Sequence, residues 1–503
     1  MDQKIIVRLM KTEIHNFKNV SSGEVKYMNY GSLNNGSGFC HSDIVGIYGQ
    51  NGSGKTALVE ALDALKHILS GEELPYKIFS GLITGNKDTR IVSLFYLSKG
   101  DDEYKVQYEV KLTADVSAEK INLAEEKIVY WRKGSLWKSE RDLTFSNPYY
   151  DNDDILTHQN LAIQSRHMSA FKDIPFLGSM QTLAAVSAQG HISVFFSKRV
   201  QKALGDLENK NSDEVKHFTN IIKWLMRFSE VDFHVIKVNQ LGDINGNECI
   251  PLNMHYENET SIIQGCLPLF INGQGELPED LLSLFKNTIE AINIAIKAII
   301  PNLQIELKEK ARLEKNDGRK WIQIELYSCR DGKRFLTRYE SEGIKRIISL
   351  LSALISVYNN PAVCLVVDEL DSGIFEYLLG ELLGMMQEEM RGQLIFTSHN
   401  LRALEKLDTQ SIVCSTTNPD NRYIRLTGIN KNNNRRDFYI RAIAIGGQKE
   451  ELYDEKDLQA MSYAFRKAGK KTTEKIELPF TEEIRSKMER SSEVSEQGQK
   501  EAK

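Results

Sequence analysis

The stretch SDIVGIYGQNGSGKT (residues 42–56) puts a short apolar strand directly before a glycine-rich turn. Its last eight residues, Gly49-Gln50-Asn51-Gly52-Ser53-Gly54-Lys55-Thr56, satisfy G-x-x-x-x-G-K-[ST] at every fixed position. The next thirteen, ALVEALDALKHIL (57–69), have the apolar spacing of an amphipathic helix. Strand, loop and helix in that order make a phosphate cradle. Glycines let the backbone close around phosphate oxygens with amide N–H groups turned inward, and the helix N-terminus adds a favourable dipole. Lys55 is expected on the β- and γ-phosphates of a nucleotide, and the Thr56 hydroxyl on Mg²⁺. A chance glycine-rich turn before a helix is the plain alternative, and it leaves the full motif match unexplained.

A second apolar run, AVCLVV (362–367), ends in Asp368-Glu369. In a parallel α/β sheet, a carboxylate at the C-terminal end of a buried strand lies beside the phosphate loop. Asp368 is expected to hold Mg²⁺ through water, and Glu369 to orient or deprotonate the attacking water. Capping of the following helix by Asp371 and Ser372 is the competing role, but capping does not require six apolar residues upstream. Thirty residues after Glu369, the strand QLIFTS (393–398) ends at His399, placed to reach the γ-phosphate and the water.

Outward from these motifs, residues 4–18 read as a strand. The stretches 91–98, 104–112 and 119–131 read as an antiparallel meander. The segment 195–229 reads as helical and 232–238 as a strand. A helix is expected over 279–298, strands over 303–309 and 319–327, and helices over 342–358 and 374–390. Residues 144–192 give no clear pattern. From about Lys470 the chain is rich in Lys, Glu, Ser and Gln and reads as a mobile tail.

Bulk properties exclude several classes. The 503 residues are 41% hydrophobic and 26% charged, which is ordinary for a globular protein. A formal net charge of −5 gives no global basic signature for nucleic acid. The cysteines (Cys40, Cys249, Cys266, Cys329, Cys364, Cys414) are scattered without a CxxC pair, so a zinc site is not expected. The most apolar tract, 347–367, is broken by Asn359, Asn360 and Pro361, and the N-terminus lacks the apolar core of a signal peptide. A cytoplasmic protein without a membrane partner is expected.

These motifs resemble the ABC-type ATPases of the SMC, RecF and OLD group. LMKTEIHNFKNV (9–20) looks like that group's first strand and N-F-[RK] turn. GQNGSGKT is similar to its phosphate loop, VVDELDSG (366–373) to its Walker B and D-loop, and IFTSHN (395–400) to its switch histidine. YESEGIKR (339–346) resembles a shortened signature motif, with S-x-G in place of S-G-G. The resemblance implies an α/β fold. It would be an ABC-type P-loop domain with a mixed sheet, helices and an antiparallel β subdomain, carrying an α-rich insertion. Lobe I would cover 1–140, an insertion, largely helical with some strands, 141–330, lobe II 331–430, an extension 431–470 and a disordered tail 471–503.

The resemblance further implies ATP hydrolysis with Mg²⁺ in a head-to-tail ATP-sandwich homodimer, a higher oligomer being left open. Ser341 and the Gly343 backbone of one subunit would meet the nucleotide of the other, with Asp371 of the D-loop in the same contact set. Ser341 serves equally well as a plain helix cap by sequence. The family's glutamine loop falls on Gln159, Gln164 or Gln181, and its N-F-[RK] lysine on Lys18, which as a solvated turn lysine is read equally well.

No sustained heptad pattern indicates an SMC arm, and no nuclease motif follows His399. The branch most resembled is the stand-alone AAA/OLD-like ATPases of bacterial phage defence, in which a separate protein, a nuclease or toxin, is the effector. The insertion at 195–300 is its expected contact surface. A RecF-like ATPase that clamps DNA is the alternative. The basic segment NKNNNRRDFYIR (430–441) is its best local candidate, although a solvated loop fits that composition as well.

Overall fold

The computed structural model describes residues 4–27, 43–83, 88–133, 141–146, 182, 186–187, 189–208, 213–239, 249–257, 262–270, 275–315, 318–429 and 434–472. The chain divides into two compact units, Met1–Tyr453 and Asp454–Lys503.

In chain order the first unit begins with β1 (Ile6–Phe17), β2 (Val20–Lys26), β3 (Asp43–Tyr48), α1 (Lys55–Leu69) and the one-turn α2 (Tyr76–Phe79). A meander follows: β4 (Thr89–Lys99), β5 (Asp102–Asp115), β6 (Lys120–Arg132) and β7 (Arg141–Ser146). Next come α3 (Lys198–Glu208), α4 (Asp213–Arg227), β8 (Phe233–Ile236) and the pair β9 (Cys249–Glu257) and β10 (Ile262–Phe270). The middle closes with β11 (Gly275–Pro278), α5 (Leu282–Ile299), β12 (Gln304–Glu314), β13 (Lys320–Arg330) and β14 (Lys333–Leu336). The final part holds α6 (Glu342–Asn359), β15 (Cys364–Val367), α7 (Glu376–Glu389), β16 (Gln393–Thr397), α8 (Leu401–Lys406), β17 (Ile412–Ser415), β18 (Tyr423–Ile424) and α9 (Arg435–Ile445). The second unit carries α10 (Leu458–Thr472).

The central sheet has the order β18-β17-β3-β16-β15-β8. Its five strands from β17 to β8 run parallel, and only β18 is antiparallel. Helices cover parallel strands on both faces, so such strands are apolar without alternation. Every residue of β15 and β16 is buried accordingly. Register brings Tyr48, Thr397, Val367, Ile236 and Cys414 to the same end of the sheet. The loops leaving that end therefore converge. Helix α1 shares one core with residues of this sheet such as Val45, Val366 and Ile395, and its Leu58, Leu62 and Leu65 are fully buried there. Each such side chain contributes roughly 1.5–3 kcal/mol of burial.

A second, fully antiparallel sheet has the order β2-β1-β4-β5-β6-β7. A buried side chain ties it to the first. The Gln393 amide in β16 accepts from Leu9 N at 3.1 Å and donates to Leu9 O at 2.8 Å. Both polar ends of that side chain are satisfied, as burial demands.

The third sheet joins β11, β12 and β14 to β13 and packs on α5. Helix α6 serves two cores. Ile348 and Leu351 face this third sheet, and Leu350, Leu354 and Val357 face the central one.

Two differences from the sequence-based expectation concern the segment 141–330. Its described part carries seven strands beside three α-helices, more strand than the expected largely helical insertion with some strands. Strand β8, expected within an insertion, instead pairs in parallel with β15 and forms an edge of the central sheet. Four residues give too short a pattern to reveal a partner more than a hundred residues away. The expected helices and strands elsewhere recur within a few residues of their predicted ends.

Candidate functional site at the C-terminal edge of the central sheet

The phosphate loop leaves β3 with Gly49 at φ 155°, Gly52 at 80° and Gly54 at 87°. Close approach makes Gly49 obligatory, because a Cβ there would lie 2.0 Å from Ser415 Oγ. Lys55 is buried and donates from Nζ to the carbonyls of Gly49 and Gln50, both at 3.0 Å. Burial lowers its pKa from the ordinary value, while Asp368, Glu369 and Asp371 raise it. Ser53 Oγ donates to Gln50 O at 2.7 Å. Asn51 and Gly52 form the exposed tip, and Thr56 is half-buried in the first turn of α1.

Distant residues brace this loop. Tyr423 OH donates to Gly54 O at 2.6 Å, and Ser415 Oγ donates to Tyr48 O at 3.1 Å. Asn19 Nδ2 donates to Gly52 O, and Arg422 Nη2 holds Asn19 O at 2.7 Å. Gly23 makes room for this arrangement, since a Cβ there would meet the Tyr423 ring at 2.6 Å.

The acidic strand end does not adjoin the phosphate-loop strand. Strand β16 lies between β3 and β15. That strand also links the two: Thr397 Oγ1 donates to Asp368 Oδ1 at 2.5 Å and accepts from Glu369 N at 2.8 Å. Asp368 is buried, and its second oxygen, Oδ2, has no hydrogen-bond partner. Glu369 sits in the left-handed region at φ 48°. For a residue with a side chain that conformation costs about 1 kcal/mol or more, and such strain gathers at functional turns. Burial raises the Glu369 pKa above the ordinary carboxylate value, and Asp368 and Asp371 push it the same way. Lys55 and Arg346 oppose the rise.

Asp371 Oδ2 accepts from His399 N at 3.0 Å, so the D-loop and the histidine turn are joined. Partial burial of the imidazole, then the Lys55 charge, hold the His399 pKa below its ordinary value. Asp368 and Asp371 act on Lys55, Glu369 and His399 alike, and Lys55 acts on both Glu369 and His399, so Lys55, Asp368, Glu369, Asp371 and His399 form one neighbourhood.

Ser341 and Gly343 occupy a different place. Ser341 is exposed and caps α6, its Oγ accepting from Ile344 N at 3.4 Å. Gly343 packs against the D-loop, where a Cβ would lie 2.1 Å from Gly373 O. Three large aromatic side chains beside these two loops are exposed: Tyr339, Phe375 and Tyr377 at 68%, 71% and 56%.

The remaining candidate residues divide. Lys18 pairs with Glu60 at 2.9 Å, which occupies its charge. Arg435 lies 3.7 Å from Asp408 and Arg436 3.4 Å from Glu405, so these two arginines are in ion pairs. Gln159, Gln164, Gln181 and Lys431 lie outside the described residues.

The donor set suits magnesium. It offers a buried carboxylate oxygen without a partner and a hydroxyl at a helix start, both of the oxygen type that a hard cation prefers. Sequence reasoning missed Thr397, Ser415, Arg422, Tyr423 and Asn19. Thr397 and Asn19 stood within quoted motifs without being singled out. The others act through backbone contacts that no spacing announces.

The parallel sheet, the phosphate loop and the carboxylates at one sheet edge define a P-loop nucleotide-binding protein. Residues 44–168 match the family described as "AAA domain, putative AbiEii toxin, Type IV TA system". No curated protein is detectably similar in sequence. Among solved structures, the chain is similar to an SMC head bound to the C-terminal winged-helix domain of ScpA, at 13% identity and TM-score 0.33, covering 83% of this chain and 98% of that one. It is similar to the SMC head domain from Thermotoga maritima at 13% identity and TM-score 0.32, covering 84% and 100%. The recombination mediator RecF of the RecFOR pathway gives 12% identity and TM-score 0.31, covering 82% and 98%. With so few shared residues and such low scores, these likenesses carry no weight for activity. Among the described residues no helix is long and apolar enough to cross a membrane.

Proposed function

We propose that the protein binds and hydrolyses ATP with Mg²⁺ as an ABC-type ATPase of the SMC/RecF group, working as a nucleotide-driven switch. One observation carries this reading: Lys55, Asp368, Glu369, Asp371 and His399 meet at the C-terminal edge of one parallel sheet. Thr56 and Asp368 would hold the cation, which when bound neutralises charge on the phosphate oxygens. Lys55 leaves the Gly49 and Gln50 carbonyls for the β- and γ-phosphates. Glu369 orients the attacking water and accepts its proton, while His399 donates toward the γ-phosphate.

A head-to-tail dimer completes the site. Ser341 and Gly343 stand at an exposed helix N-terminus, suited to an anion supplied by a second copy. Closure can drive an output only by favouring one state of something bound. The output we propose is control of a separate effector protein in bacterial anti-phage defence. The matched family's description, which names a toxin of a toxin–antitoxin system, supports that setting. Clamping of DNA is the rival, and the ion pairs of Arg435 and Arg436 weaken the segment that would serve it.

The test uses homogeneous protein with Mg²⁺ or Mn²⁺. ATP turnover, ATP-dependent dimerisation blocked by Ser341→Arg, and no cleavage of DNA or RNA are expected. Absence of turnover defeats the ATPase reading. Nuclease activity that survives Glu369→Gln defeats the separate effector. Salt-sensitive DNA binding that strengthens with ATP selects the clamp.

A further inference from the structure

Helix α6 buries a full guanidinium at the back of the hydrolytic turn. Arg346 is 0% exposed, and its Nη2 donates to the main-chain carbonyl of Asp368 at 3.3 Å. Its Nε and Nη1 are buried without hydrogen-bond partners. An arginine so placed is costly, because the desolvated charge is not matched by a bonded carboxylate. Core packing alone would be served better by an apolar residue of the same volume. Asp368, Glu369 and Asp371 are the groups whose charge supports it.

The backbone around it is one connected body. Asp368 N donates to Ile236 O at 2.9 Å, Leu370 N to Thr397 O at 3.0 Å, and Glu369 N to Thr397 Oγ1 at 2.8 Å. At the other end of the same helix turn, Gly343 lies against Gly373 O. The first turn of helix α6 therefore links the exposed Ser341–Gly343 edge to the Arg346 bond on Asp368, the residue before the strained Glu369 at φ 48°.

We propose that Arg346 is a positioning residue for hydrolysis. It pins the Asp368 carbonyl, holds the Glu369 backbone in its left-handed conformation, and transmits displacement of the helix start to that turn. The inference rests on the ATPase reading above. Nucleotide affinity is set by the phosphate loop, to which Arg346 has no assigned bond, so binding and turnover separate.

The experiment compares wild type, Arg346→Gln, Arg346→Lys, Glu369→Gln and the Arg346→Gln/Glu369→Gln pair. ATP affinity comes from calorimetry, and kcat from phosphate release. Arg346→Gln is expected to keep its Kd within about threefold and lose roughly 30-fold in kcat, with Arg346→Lys recovering part of the loss. The pair is expected to turn over no more slowly than Glu369→Gln alone, since both substitutions disable one group. Leu350→Ala, on the same helix, is the packing control: it lowers the melting temperature and leaves kcat near wild type. Equal losses in Kd and kcat, or additive losses in the pair, overturn the proposal. If Arg346→Gln does not fold, Arg346→Lys decides alone, and wild-type kcat in it overturns the role. Wild type that hydrolyses no ATP fails the ATPase reading instead, which keeps the two failures distinct.

Discussion

The phosphate loop and the hydrolytic turn sit at the same sheet edge and are built in opposite ways. In the loop, polar groups are paired: Lys55 with two carbonyls, Ser53 with Gln50 O, Gly54 O with Tyr423. In the turn, Asp368 Oδ2, Asp371 Oδ1 and two Arg346 nitrogens are buried without hydrogen-bond partners, and Glu369 is strained. Buried polar atoms without partners cost about 1–3 kcal/mol each, so a fold retains them where something else gains. The contrast teaches a division of labour. The phosphate loop is organised by its own chain, whereas the turn after β15 keeps buried polar atoms without partners, which the proposed function would assign to nucleotide, cation and a second copy.

That contrast can be broken at several points. The largest effect is expected for Glu369→Gln, which keeps the hydrogen-bonding shape and removes the base. Its kcat should fall roughly 100-fold to 1000-fold with ATP affinity within a few-fold, and a closed dimer should accumulate on light scattering. Wild-type turnover would place the base elsewhere.

Lys55→Ala comes next. ATP binding measured by calorimetry should weaken by on the order of 100-fold, the loss of charge-assisted contacts, while the melting temperature stays near wild type. Retained tight binding would remove the loop from the site.

A smaller effect sharpens the claim of long-range bracing. Tyr423→Phe keeps the buried ring and deletes the bond to Gly54 O. Kd should rise about fivefold to tenfold with kcat at saturation unchanged, in keeping with one hydrogen bond of roughly 1 kcal/mol. An unchanged Kd would show that the loop holds its shape unaided.

The smallest effect is electrostatic. A positive neighbour disfavours an imidazolium, so the His399 ring should titrate by NMR below its ordinary value in the wild type. In Lys55→Ala it should titrate higher, still held down by burial. No movement on removing Lys55 would separate the histidine from the phosphate loop.

Much of this site was legible because it is local. Gly49 to Thr56, Asp368-Glu369 and His399 each follow a buried strand, and apolar runs reveal such strands. The strand β8 was visible as an element but not as a member of the central sheet, because four residues carry no record of their neighbour. Arg346 stood in plain view inside YESEGIKR, and its burial was not visible, since a helix surface becomes an interior only when two cores close on it. Lys18, Arg435 and Arg436 looked like free charges. Their partners, Glu60, Asp408 and Glu405, lie on other elements.

By itself, the sequence determined that a strand, a glycine loop and a helix succeed one another with a lysine at the join. It also determined that a carboxylate pair and a histidine end two further buried strands. Those features depend on bonds and dihedrals within a few residues. Only the tertiary structure decided that β16 intervenes between the loop and the carboxylates, that Tyr423, Ser415 and Asn19 hold the loop, and that Arg346 stands behind Glu369. These are contacts between elements distant along the chain. The packing of sheets and helices sets them, and no local pattern of residues encodes them.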